Sequence, residues 1–196
     1  MIIQCKKYRF LAFVAASLFS LASPKALAQS AQPPSEEAAL NALADGAVKA
    51  LQSGDYATAV AKFDELSPKI PPEAPQLEEI FFMLGAAHFN LEQYDKAVEN
   101  FKKYQEKFPK GNHAQDVAFN LAQALHLKKD FAGAVENYAK LESDPKFRDR
   151  ALFYSAYSLK EAGRLDEAIK NVSTRLGVEE QIIKRILYNH FKKKKK

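Results

Sequence analysis

The sequence predicts an all-α fold made of consecutive helix pairs stacked on one another. Three observations predict it. After residue 35 the apolar residues recur at three- and four-residue spacing, and no run of four or more alternates like a strand with β-branched side chains. One short pattern recurs four times in phase. Pro109 and Pro145 fall where the second helices of the middle units would stop, since proline cannot continue a helix.

The chain has 196 residues, 47% hydrophobic and 27% charged. That composition is globular and excludes a wholly disordered chain. The net charge of +5 is unevenly placed. Residues 1–28 hold Lys6, Lys7, Arg9 and Lys25 without an acid, which is +4. The run of lysines at 192–196 supplies +5, so residues 29–191 sum to −4. The pI of about 9.1 therefore belongs to the two ends. A mildly acidic body argues against a nucleic-acid-binding core, where a basic face is expected.

Residues 1–28 read as a secretory signal peptide. Lys6, Lys7 and Arg9 precede an apolar run at 10–22, and Ala26 and Ala28 give the small residues of a cleavage site. The apolar run is too short to span a bilayer comfortably. An uncleaved N-terminal anchor is the alternative reading. Cys5 precedes the apolar run, so cleavage after Ala28 leaves a chain with no thiol, no disulfide and no cysteine ligand. Residues 29–35 (QSAQPPS) form a short flexible lead-in.

Residues 36–174 form the repeat array, with units at about 36–75, 76–111, 112–147 and 148–174. Gly54-Asp55-Tyr56-x-x-Ala59-Val60-x-x-Phe63 recurs as Gln93-Tyr94-x-x-Ala97-Val98-x-x-Phe101. It returns as Asp130-Phe131-x-x-Ala134-Val135-x-x-Tyr138 and as Arg164-Leu165-x-x-Ala168-Ile169-x-x-Val172. The anchors Tyr56, Tyr94, Phe131 and Leu165 lie 38, 37 and 34 residues apart. About four helical turns precede each anchor. A small residue there (Ala47, Gly85, Ala122, Ala156) lets the two helices of a pair approach closely. Ala59, Ala97, Ala134 and Ala168 do the same from the partner helix. Stacking buries faces that a single pair leaves open.

These motifs resemble the tetratricopeptide repeat over residues 36–172, about 70% of the chain. The matching residues include Gly54, Tyr56, Ala59 and Phe63, then Leu84, Gly85, Tyr94, Ala97, Phe101 and Pro109. Leu121, Phe131, Ala134 and Tyr138 follow, with Gly163 and Ala168 in the last unit. The usual first-helix tryptophan is replaced by Leu43, Phe81, Ala118 and Leu152, and the first unit has a proline-rich linker at 67–75. The resemblance implies a right-handed α–α superhelix with the first helices on its concave side. Together with the signal peptide, the joints Lys107-Phe108-Pro109 and Gly111-Asn112-His113-Ala114 are similar to those of bacterial envelope-associated members. One such member is the periplasmic coordinator of the Tol–Pal system. The implied address is secretion across the inner membrane into the periplasm.

The family's inward positions carry over to Phe82 and Phe89 in unit two, Phe119, Gln123 and His126 in unit three, and Phe153 and Tyr157 in unit four. The aromatic ones either pack against neighbouring helices or line a partly apolar groove for a partner segment. The family's carboxylate clamp is not reproduced, because Phe82, Ala86, Phe119 and Gln123 occupy its lysine and asparagine positions.

No catalytic or cofactor motif is found. There is no glycine-rich phosphate loop, no HExxH, no CxxC and no Gly-x-Ser-x-Gly. His88, His113, His126 and His190 are widely spaced, and His88 sits where the family places a packing tyrosine. The acidic pairs at 36–37, 78–79 and 179–180 lie near expected helix starts, where they favour the helix dipole. No cofactor and no metal are expected.

Residues 175–196 break the repeat. Gly177 punctuates, and Ile182, Ile183, Ile186, Leu187, His190 and Phe191 then form an apolar stripe at helical spacing. The segment reads as a capping helix, as a basic amphipathic helix touching anionic lipid together with the lysine tail, or as the broken end of a longer array. The expected function is a non-enzymatic protein–protein interaction scaffold of the bacterial envelope that binds a protein or peptide segment in its concave groove. The alternative is a membrane-surface adaptor acting through the C-terminal helix.

Overall fold

The computed structural model of the chain describes residues 36–193, with side chains to residue 188. The expected signal peptide, the lead-in at 29–35 and the last three lysines lie outside the described residues. Among the described residues all regular structure is helical. The chain divides into two compact units, one ending at Lys69 and one starting at Ile70.

The first unit contains α1 (Glu36–Ser53), α2 (Tyr56–Leu66) and a 3₁₀ turn at Ser67–Lys69. Ala47 and Ala59 are both fully buried, and Phe63 and Leu66 complete the seam. Asp55 caps α2, its carboxylate accepting the Thr58 N–H at 3.1 Å.

The second unit contains α3 (Gln76–Asn90), α4 (Tyr94–Lys107), α5 (Ala114–Leu127), α6 (Phe131–Ala139), α7 (Arg148–Glu161), α8 (Leu165–Leu176) and α9 (Glu180–Lys193). The main packing joins helices adjacent in sequence, with α3 and α5 also touching. Packing between near neighbours is the mark of a stacked repeat. The middle first helices are buried on more than one face: α3 buries Leu77, Ile80 and every residue at 82–89, and α5 buries every residue at 117–125. Second helices are one-sided. In α4 only Ala97, Val98, Phe101 and Tyr104 are buried, the i, i+1, i+4, i+7 stripe of an amphipathic helix.

One turn geometry joins the two helices of every pair. Gly54, Glu92, Lys129 and Gly163 all have positive φ, from 59° to 81°. The next residue's N–H returns to the carbonyl five back: Asp55 to Ala50, Gln93 to His88, Asp130 to Leu125 and Arg164 to Leu159. Glycine takes this conformation without strain, while Glu92 and Lys129 take it at a cost.

Two helix ends differ in character. α8 ends on Gly177 in the left-handed region, as its punctuation predicts. α6 stops at Ala139, six residues before Pro145, so proline is not what ends it. Leu141 is buried there, and the chain leaves the helix through successive tight turns in which Leu141, Asp144 and Phe147 bond to Tyr138, Leu141 and Asp144. Ile183 and Leu187 of α9 join the cluster of Leu152, Leu159, Ile169 and Val172 from α7 and α8.

Candidate functional site

The candidate site is the set of first-helix positions on α3, α5 and α7. Of the seven residues, Phe82, Phe89, Phe119 and Gln123 are buried, at 2–5% exposure. His126, Phe153 and Tyr157 are half-buried.

Phe82 lies flat on His113, with centroids 4.4 Å apart. Phe89 meets Tyr94 edge-on at 5.6 Å. On α5, Phe119 is surrounded by Tyr138, Phe147 and Tyr154 at 5.6–5.8 Å. The exposed Arg150 guanidinium covers it at 4.3 Å. The surface of Phe119 is thus engaged within the chain.

The structure brings His126 and Tyr157 together, ring to ring at 5.0 Å. His126 also bonds Ser158 Oγ through Nδ1 at 2.9 Å. Ser158 donates its own proton to the Tyr154 carbonyl, so it accepts from His126, and Nδ1 carries the hydrogen. Burial lowers the His126 pKa, opposed by the nearby Glu161 charge. A neutral imidazole is therefore the resting form. Phe153 stacks edge-on against Tyr154, and Tyr154 links it to Phe119.

Two buried polar atoms on these helices have no hydrogen-bond partner: Gln123 Nε2 on α5 and Glu79 Oε1 on α3. An unpaired buried donor costs about 1–3 kcal/mol and calls for an explanation. Gln123 lies one turn before His126 on the same face, since residues three and four apart are helical neighbours.

Sequence reasoning assigned Glu78 and Glu79 to the helix dipole alone and missed their tertiary bonds. Glu78 Oε1 accepts from the Tyr104 hydroxyl at 2.7 Å and from the Asn112 N–H at 2.5 Å. The Tyr104 oxygen accepts the His113 N–H at 2.8 Å. Glu79 Oε2 bonds His113 Nε2 at 2.8 Å. The knot ties the start of α3 to the joint between α4 and α5. The bond to Glu79 raises the His113 pKa, against desolvation. Burial raises the Tyr104 pKa, and its bond to Glu78 adds to the rise. The visible signal was the polar joint Asn112-His113, which lies 34 residues after the acidic pair. No group of three or more His, Cys, Asp or Glu suited to a metal gathers among the described residues. No described helix is long and apolar enough to cross a membrane.

The family model of the tetratricopeptide repeat matches residues 79–111, from the first turn of α3 to the joint after α4. Among solved structures, the chain is similar to the nearly identical TPR-like repeats of a candidate kinesin light chain from Podosopora anserina. That match has 17% identity and a TM-score of 0.55, and covers 71% of this chain and 74% of the other. A single-substitution variant of the same repeats matches over the same shares, with 17% identity and a TM-score of 0.56. At that identity the likeness establishes the fold: an all-α, TPR-like helical repeat. Among curated proteins, none matches the sequence.

Proposed function

We propose that this chain is a non-enzymatic protein-interaction scaffold of the bacterial envelope, exported to the periplasm, which binds an extended partner segment along α5 and α7. TPR-like folds suit this role, because stacked pairs present a long surface without a catalytic cleft. The half-buried rings of His126, Phe153 and Tyr157 carry the reading, with His126 and Tyr157 meeting ring to ring at 5.0 Å. Apolar side chains of a bound segment would cover the accessible part of these rings. Such a contact uses the half-buried members of the face and leaves Phe119 as its packed floor. Envelope residence is supported by the three-part pattern of residues 1–28 and by the joints at 107–109 and 111–114.

The test uses the tagged full chain, with a photo-crosslinking phenylalanine analogue at Tyr157 and, as control, at exposed Leu165. The expected result is a defined adduct at 157 only, lost when Phe153→Ala is added. Equal adducts at both positions, or an adduct indifferent to Phe153→Ala, would remove the groove reading. Fractionation with intact mass measurement tests the address. A periplasmic product lacking residues 1–28 is expected, and a cytoplasmic product that retains them would refute export.

A further inference from the structure

The open stripe of α7 carries a charge that the groove reading leaves unused. Between Ala151 and Lys160 only Phe153, Tyr154, Tyr157 and Lys160 are not buried, and exposed Arg150 heads the same stripe. Spacings of three and four residues keep them on one face. The Arg150 guanidinium lies over the Phe119 ring at 4.3 Å. Among the described residues its N–H groups have no hydrogen-bond acceptor and its charge has no ion pair. Asp149, Asp116 and Glu161 are each held by another cation: Arg148, Lys146 and Lys160 in turn. Lys160 is thereby neutralised at the far end of the stripe, and Arg150 is left as its uncompensated charge.

We propose that Arg150 selects the partner: the segment that covers Phe153 and Tyr157 carries an Asp or Glu, whose side-chain carboxylate the Arg150 guanidinium binds. The proposal rests on the groove reading and deepens it. A planar guanidinium matches a carboxylate with two parallel N–H bonds. The Phe119 ring supports the cation from one side and leaves the ion pair unmade. Helix geometry sets the spacing. Arg150 and Tyr157 are seven residues apart, about 10 Å along α7, and an extended chain advances about 3.3 Å per residue. The acid therefore stands about three residues from the apolar side chain that covers Tyr157. Residues 1–35 and 189–196 contain no Asp or Glu, so neither segment supplies the carboxylate, and the occupant is another polypeptide.

Random peptides are displayed as amino-terminal fusions, which expose no free C-terminal carboxylate, and are selected on the immobilised full chain. The expected consensus is an Asp or Glu about three residues from a large apolar residue. Binding of a recovered peptide to the full chain is then measured by fluorescence anisotropy. Arg150→Gln should weaken it about fivefold, and Arg150→Lys by less. Replacing the peptide's acid by its amide should cost nothing further in the Arg150→Gln chain. Raised salt should weaken the parent complex and leave the Arg150→Gln complex nearly unchanged. Circular dichroism of both variants should match the parent. Selected peptides that lack the acid, or that bind the Arg150→Gln chain equally well, would overturn the proposal. If such peptides are still weakened by Phe153→Ala, the groove stands and only its charge preference falls. If Phe153→Ala also has no effect, or no peptide is recovered, the groove reading falls with it.

Discussion

Gly85→Ala sets two physical effects against each other at one buried position. Gly85 lies inside α3, where alanine is favoured by about 0.8–1.0 kcal/mol from helix propensity alone. A Cβ built there would lie 2.5 Å from Phe101 Cδ1 and 2.8 Å from Cζ. Ordinary contact needs about 3.4 Å, so the ring must retreat by almost 1 Å. Phe101 is fully buried, so it must retreat within an interior packed at near-crystalline density. Overpacking of this kind costs about 1–3 kcal/mol, and the displacement places this case in the upper half of that range. The net expectation is destabilisation by about 1–2 kcal/mol. The assay is urea unfolding followed by far-ultraviolet circular dichroism. Because repeats can melt unevenly, the midpoint and the slope are compared together. A smaller side chain should relieve the clash, so Phe101→Leu should cost less when Gly85→Ala is already present than in the parent chain. A Gly85→Ala variant as stable as the parent, or more so, would refute the reasoning, and so would strict additivity of the two substitutions.

Three further expectations rest on the same structure. Tyr104→Phe removes the hydroxyl that donates to Glu78 and accepts from the His113 N–H. It should lower stability by about 1–3 kcal/mol in urea titration, and no loss would mean water replaces the bonds freely. Lys129→Gly relieves a side chain held at φ +67° and should raise stability by about 0.5–1 kcal/mol, whereas the same change at Lys128, at φ −73°, should lower it. The bond to Glu79 holds His113 above its ordinary pKa of 6.5 in the folded chain. Its stabilisation is therefore fully present below pH 6.5 and fades as pH rises through the folded value. His126 is lowered by burial, so its stabilisation is present above pH 6.5 and fades as pH falls through its own folded value. Proton NMR titration should place the two imidazoles on opposite sides of 6.5, and coincident curves would contradict both assignments.

Much of the architecture was legible because it is local. The spacing Tyr56, Ala59, Phe63 and its three echoes reports which face of a second helix is apolar: the alanines and the residues four further on (Phe63, Phe101, Tyr138, Val172) are buried, while the anchors Tyr56, Tyr94 and Phe131 are half-buried and Leu165 is exposed. Gly177 announced the end of α8 because only glycine takes that backbone position freely. The first helices α3 and α5 were harder to read. They are buried nearly all round over 82–89 and 117–125, so periodicity could not say which rings are spent on packing. Phe119 is engaged because Tyr138, Phe147 and Tyr154 come from three later segments.

The sequence by itself determined the helical class, the phase of the pairs and the close-packing small residues, since each follows from contacts within a few turns of chain. Tertiary structure alone decided that Glu78 and Glu79 bind Tyr104 and His113 rather than merely serving the helix dipole. It alone decided that α6 ends at Ala139, ahead of proline, with Leu141 buried just beyond, and that Gln123 is left with a buried donor and no acceptor. The physical reason is range. A hydrogen bond or a ring contact across 26 or 34 residues depends on how two helices meet, and that angle is set by every side chain between them.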